Sequence, residues 1–147
     1  MEHILFVCTG NTCRSPMAEA ILKNSRLAHV EVKSAGIYAT DGQDASQYAK
    51  AVLLENNIQH QHSSRMLSLE DVEWATHILT MTNAHASLIK QLYPEYSAKV
   101  FTLKGFIQGG QGEDVIDPYG GTKTQYADTY RELERLIEGL VRKLDGQ

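Results

Sequence analysis

Ile4-Leu5-Phe6-Val7-Cys8-Thr9-Gly10-Asn11-Thr12-Cys13-Arg14-Ser15-Pro16 opens on a continuous apolar run and closes on a Ser-Pro pair. The run is short and rich in strand formers, as expected of a strand buried on both faces of a parallel sheet. Ser15 and Pro16 predict a helix start, Ser15 as the cap and Pro16 as the first residue, where proline forfeits no bond the helix would use. A loop held between a strand end and a helix start aims its backbone N–H groups, and the positive end of the helix dipole, at one spot. An oxyanion of phosphate size fits there.

Five residues separate Cys8 from Arg14, enough for the loop to curl and bring thiol and guanidinium to the same anion. Arg14 can grip two oxygens with its planar fork, and together with the loop N–H groups it favours the thiolate of Cys8, the nucleophilic form. Read blandly, Cys8 is a small buried hydrophobe at a strand end. Arg and Gly at these offsets have no part in a core, however.

A second cluster, Asp114-Val115-Ile116-Asp117-Pro118-Tyr119-Gly120-Gly121, offers an acid. A phosphoryl group leaves readily only if its leaving atom is protonated, and Asp117, restricted by Pro118, is the candidate donor. Asp-Pro also opens ordinary turns, so the assignment leans on the cysteine loop. Asp114 reads as a solvated loop charge. Tyr119 is expected to wall the mouth of the pocket and stack on a flat substrate group, with Tyr38 as the facing wall or else a plain surface side chain.

Outward from this run, strand and helix signals alternate. Helices are predicted from Pro16 to about Leu27, Ala45 to Asn56, Ser68 to Trp74 with Ser68 as cap, Asn83 to Leu92, and Thr122 to Leu144; strands fall at Val30–Ser34, His77–Met81 and Lys99–Leu103. Gly36 and Gly42 mark one loop, and Gly105, Gly109, Gly110 and Gly112 a mobile hinge before Asp117. Strands separated by helices predict an α/β fold, a doubly wound, Rossmann-like sheet of about four parallel strands with right-handed crossovers. Ligands of such sheets bind beyond the carboxyl ends of the strands, where Cys8 falls.

Bulk composition narrows the class. At 147 residues the natural organisation is one domain over 1–147, and 42% hydrophobic residues with only three prolines argue against disorder. A net charge of −4 with dispersed Lys and Arg gives no footprint for nucleic acid. No run approaches a membrane span, and two cysteines five apart suit a reducing compartment, so a cytoplasmic protein with no membrane partner is expected; a monomer is expected as well. No cofactor is predicted. His60 and His62 could be half of a metal site, but two histidines without a cysteine or carboxylate cluster are too few, and no metal is predicted.

The motif Cys8-Thr9-Gly10-Asn11-Thr12-Cys13-Arg14-Ser15-Pro16, together with Asp117-Pro118-Tyr119-Gly120, resembles the signature and acid loop of the low-molecular-weight protein tyrosine phosphatases, and the resemblance covers essentially the whole chain. It is most similar to the bacterial protein-arginine phosphatases, whose loop carries Thr, here Thr12, where tyrosine-specific members usually carry Ile or Leu. The resemblance implies hydrolysis of phosphorylated proteins through a phosphocysteine on Cys8. Thr9, Gly10, Asn11, Thr12, Cys13 and Ser15 would line the phosphate site. Asp117 would protonate the leaving group and then take a proton from the attacking water. The same resemblance ties Asn11 to Ser34 and His62, while Ser15 could donate its hydroxyl to Cys8.

Thr12 trades an apolar wall for a smaller one with a hydroxyl, which suits a guanidinium and removes packing for a phenyl ring. Phosphoarginine is therefore the first substrate, phosphotyrosine the alternative. Cys13 is within loop reach of Cys8 and could resolve an oxidised Cys8 as a disulfide, or be a packing cysteine. An arsenate reductase would need two further cysteines that the segment Thr80 to Leu92 lacks. A redox-sensing phosphate-binding module would show no turnover.

Overall fold

A computed structural model describes residues 1–109 and 114–146. Four strands, β1 (Glu2–Cys8), β2 (Val30–Gly36), β3 (His77–Thr80) and β4 (Val100–Thr102), form one parallel sheet in the order β2-β1-β3-β4. Six helices among the described residues flank it: α1 (Arg14–Asn24), α2 (Gln47–Glu55), α3 (Leu69–Trp74), α4 (Asn83–Leu92), α5 (Leu103–Gln108) and α6 (Lys123–Asp145). This is the predicted doubly wound α/β architecture.

The apolar run earns its continuity by serving two cores. Ile4 and Phe6 pack with α1, α2 and α6, whereas Leu5 and Val7 pack with Val72, Ile89 and the α3–α4 face, and all four are fully buried. The long helix α6 offers Tyr126, Tyr130, Leu133, Ile137, Leu140 and Leu144 as its buried stripe and starts on a Thr122–Gln125 capping box. The chain leaves β1 for β2 on one side and later returns to β3 on the other. The carboxyl end of β1 is thus the switch point where a crevice must open.

Several boundaries differ from expectation. Helix α1 starts at Arg14 with Cys13 as its cap residue, so Ser15 does not cap it and Pro16 is its third residue. The hydroxyl of Ser15 is taken by Cys8 instead, and proline still costs nothing there because the first four helical N–H groups lack intrahelical partners. The helix ends at Asn24, and Arg26 follows in the left-handed region at φ 54°. Gly105 lies inside α5, not in a loop, because Thr102 caps that helix by accepting from the Gly105 N–H, and Leu103 and Phe106 face the core. Gly109 at φ 80° ends α5, while Gly110 and Gly112 lie outside the described residues. A 3₁₀ turn at Pro94–Lys99, not foreseen, leads into β4. No helix among the described residues is long and apolar enough to cross a membrane.

Candidate active site

Cys8 ends β1, and the chain curls immediately afterwards. The curl depends on Asn11, which sits in the left-handed region at φ 56° and is completely buried. Its side-chain amide donates to the hydroxyls of Ser15 (2.8 Å) and Ser34 (2.9 Å), its side-chain carbonyl accepts from the backbone N–H of Arg65 (3.0 Å), and its backbone carbonyl accepts from His62 Nε2 at 2.6 Å. Asn11 pins the loop from four directions. The loop is also pressed against Gly36 at the end of β2, where a Cβ would meet the Thr9 carbonyl at 2.6 Å and the Asn11 nitrogen at 2.9 Å. Only glycine allows that approach.

The same network reaches the nucleophile. Ser15 Oγ lies 2.8 Å from Cys8 Sγ while accepting from Asn11. Its single proton is thereby free to point at the sulfur, the arrangement that suits a thiolate. Ser34, which also accepts from Asn11, donates onward to Glu19 at 2.5 Å.

Arg14, the first residue of α1, is buried to 3% exposure, and its guanidinium bonds the Val115 carbonyl (3.0 Å) and approaches Asp117 Oδ2 (3.4 Å). Its Nε has no partner among the described residues. A buried guanidinium N–H is costly unless an acceptor meets it, and an oxyanion held by the loop supplies one. The arginine therefore joins the two sequence clusters: Asp117 stands over the loop with half its side chain in solvent and its other oxygen accepting the Tyr119 N–H at 2.9 Å.

Cys8, Thr9, Gly10, Thr12, Cys13, Arg14, Tyr38, Asp117 and Tyr119 line one cleft of about 280 Å³. Tyr38 and Tyr119, both more than 70% exposed, stand at its mouth. Thr40 and Gln43 also line it; nothing in their spacing in the sequence signalled this. Cys13 is a free, buried thiol whose sulfur lies 3.2 Å from the Tyr126 hydroxyl, and burial with that contact pushes the Tyr126 phenol up to about 12.

Asp114 departs from expectation, and His85 was not foreseen. Asp114 is exposed but not merely solvated: it accepts the first N–H of α4, from Asn83, at 2.7 Å, and so ties the acid loop to that helix. His85, in the first turn of α4, places Nε2 2.9 Å from Thr9 Oγ1. Burial first, and then the Arg14 charge, push its imidazole down to about 4, so it is neutral beside the loop.

The expectation of no metal rested on two histidines without a carboxylate. The fold supplies one: Glu19 of α1 brings an oxygen to 3.8 Å from His60 Nε2 and 3.8 Å from His62 Nδ1. Burial pushes the His60 imidazole down, while Glu19 opposes that shift.

A profile for the low molecular weight phosphotyrosine protein phosphatases matches residues 3–147. The chain belongs to this family. Its relatives include a protein-arginine-phosphatase of Geobacillus stearothermophilus, 52% identical over 145 residues that cover 99% of this chain and 97% of that one. A low molecular weight protein-tyrosine-phosphatase, PtpB of Staphylococcus aureus, is 42% identical over 134 residues, 91% of this chain and 93% of PtpB. The solved YwlE arginine phosphatase of Geobacillus stearothermophilus superposes with a TM-score of 0.97 at 50% identity, covering 99% of this chain and 94% of that one. A YwlE arginine phosphatase mutant with a phosphorylated active-site serine superposes at 0.93 with 42% identity, covering 97% and 95%. The family's phosphatase chemistry thus sits on a chain that aligns over nine-tenths or more of its length with members of both kinds.

Proposed function

We propose that this phosphatase hydrolyses phosphoarginine in proteins, with Cys8 as nucleophile, Arg14 as phosphate clamp and Asp117 as acid and base. The observation that carries the reading is Thr12 in the wall of the cleft that holds Cys8 and Arg14, which puts a small hydroxyl-bearing side chain where a phenyl ring would need apolar packing. The arginine phosphatases among its relatives support it.

In the first step Cys8 Sγ attacks phosphorus, the P–N bond breaks, and its electron pair goes to the guanidine nitrogen, which Asp117 protonates. The loop N–H groups and Arg14 hold the three equatorial oxygens throughout. In the second, water attacks the phosphocysteine, Asp117 takes its proton, and the electrons of the P–S bond return to Cys8 as thiolate. Ser15 assists here, because a hydroxyl donated to sulfur makes it a better leaving group. A phosphorylated serine at the nucleophile position of a relative is the oxygen counterpart of that intermediate.

We further assign the chain to one phosphatase domain, 1–147, acting as a monomer, and place it in the cytoplasm, the last supported by its two free cysteines. The test is kcat/KM on phosphoarginine and phosphotyrosine peptides side by side, repeated with Thr12→Ile. A preference for phosphoarginine that the substitution reduces at least tenfold is expected, the scale on which a pocket wall discriminates. Equal or better turnover of phosphotyrosine by the unaltered chain would return it to the tyrosine phosphatases.

A further inference from the structure

Behind the phosphate loop, on the side away from the cleft, three electron-pair donors face one another. One atom each of Glu19, His60 and His62 lie within 4.8 Å of the other two. The three side chains are 90% or more buried, at 10%, 7% and 3% exposure. His60 Nε2 has no hydrogen-bond partner among the described residues. His62 donates Nε2–H to the Asn11 carbonyl at 2.6 Å, which fixes its tautomer and, in the neutral ring, leaves the Nδ1 lone pair aimed at the Glu19 oxygen 3.8 Å away. Three such groups converge in a buried site only with something positive among them, a proton on an imidazole or a metal ion.

We propose that Glu19, His60 and His62 form a zinc-binding site. Two imidazoles and one carboxylate make a borderline-soft donor set that suits Zn²⁺ better than Mg²⁺ or Ca²⁺, which take oxygen ligands. Zinc at about 2.0–2.2 Å from each donor in a tetrahedral arrangement needs ligand atoms about 3.3–3.6 Å apart. The two 3.8 Å separations on Glu19 need to close by a few tenths of an ångström and the two imidazole nitrogens, within 4.8 Å of each other, need to come to the same spacing, movements made by side-chain rotation. The surroundings match a metal centre: a ligating histidine usually gives its other N–H to a backbone carbonyl, as His62 does, and a ligating carboxylate is itself hydrogen-bonded, as Glu19 is by Ser34 and Lys23.

The position gives the ion a function. Zinc on Nδ1 polarises the His62 ring and strengthens its Nε2–H bond to Asn11, the residue that holds the loop curl, while Ser34 links Glu19 to the Asn11 amide. The ion would set the rigidity of the phosphate loop from outside the cleft. The zinc site and the phosphatase chemistry stand or fall separately.

Zinc also binds thiolates, so the test uses a chain with Cys8→Ser and Cys13→Ser, stripped by chelator and titrated with zinc chloride in a calorimeter, with melting temperatures read in parallel. Binding of one zinc per chain and a raised melting temperature are expected, and adding His60→Ala should weaken binding at least tenfold and abolish the rise. No binding to the thiol-free chain, or binding that His60→Ala leaves unchanged, overturns the proposal. If the double-serine chain does not fold, Co²⁺ is added to the unaltered protein. Tetrahedral visible bands without an intense near-ultraviolet thiolate band, lost on His60→Ala, are expected, whereas a thiolate band as the only cobalt signature overturns the proposal.

Discussion

Asn11 and Asp117 occupy the centres of the two loops that meet over Cys8, and their surroundings differ sharply. Asn11 is fully buried, with both carbonyls and the amide of its side chain and backbone committed to Ser15, Ser34, Arg65 and His62. Asp117 has half its side chain in water and joins the body of the fold through a 3.4 Å pair with Arg14. A cradle for a developing charge gains most from donors that need not reorganise, whereas a group that gives a proton in one step and takes one in the next must stay in contact with both leaving group and water. One loop is built for preorganisation and the other for access.

If that contrast is correct, damage to the exposed acid should cost rate and leave stability alone. Asp117→Asn keeps the acceptor for the Tyr119 N–H but removes the proton, and kcat on a phosphoarginine peptide should fall roughly 10²–10⁴-fold. The melting temperature should move little, because exposed substitutions usually stay within about 0.5 kcal/mol. A fall in kcat of less than tenfold would remove Asp117 from the chemistry.

Damage to the buried loop should do the reverse. Asn11→Ala leaves a left-handed backbone without the residue type that tolerates it, removes the donor to Ser34, whose hydroxyl keeps its bond to Glu19, and leaves the half-buried Arg65 N–H unmet. With about 1–3 kcal/mol for the unmet group and about 1–2 kcal/mol for a left-handed alanine, the loss is expected to total about 2–4 kcal/mol in urea unfolding. A loss below about 1 kcal/mol would show that the loop holds its shape without this network, and the contrast with the acid loop would fail.

The two loops were also unequally legible. The phosphate loop is contiguous, so strand end, nucleophile, Arg14 and helix start could be read from one stretch, and the buried strand announced itself because both its faces are apolar. The detail of Ser15 was not readable, since a hydroxyl that can cap a helix or serve a thiol looks the same in sequence and only the fold shows which partner is nearer. Gly105 misled for a related reason: a helix of six residues, held by the Thr102 cap and by Leu103 and Phe106 in the core, tolerates a glycine that local propensity counts against. Residues that converge from distant elements, such as Glu19 with His60 and His62, or Thr40 and Gln43 in the cleft, left no local pattern at all.

His85 belongs to that last group and gives the smallest of the expected effects. It reaches the phosphate loop through Thr9 Oγ1, and its imidazole is held down to about 4 against an ordinary 6.5. As pH falls, the unfolded chain takes a proton on this histidine near 6.5, whereas the folded chain resists until about 4. Neutral His85 therefore favours the fold above 6.5, and that contribution is lost between 6.5 and 4. Because the side chain is only partly shielded, the effect should be on the order of 1 kcal/mol, well short of a full conversion of the shift. His85→Gln keeps a polar partner for Thr9 and cannot titrate, so its urea midpoint should fall less steeply than that of the unaltered chain between pH 6.5 and 4, with the two slopes converging above pH 7. Parallel curves across the whole range would mean that Arg14, Asp114 and Asp117 balance at His85 and that the neutral imidazole is no part of what keeps the phosphate loop rigid.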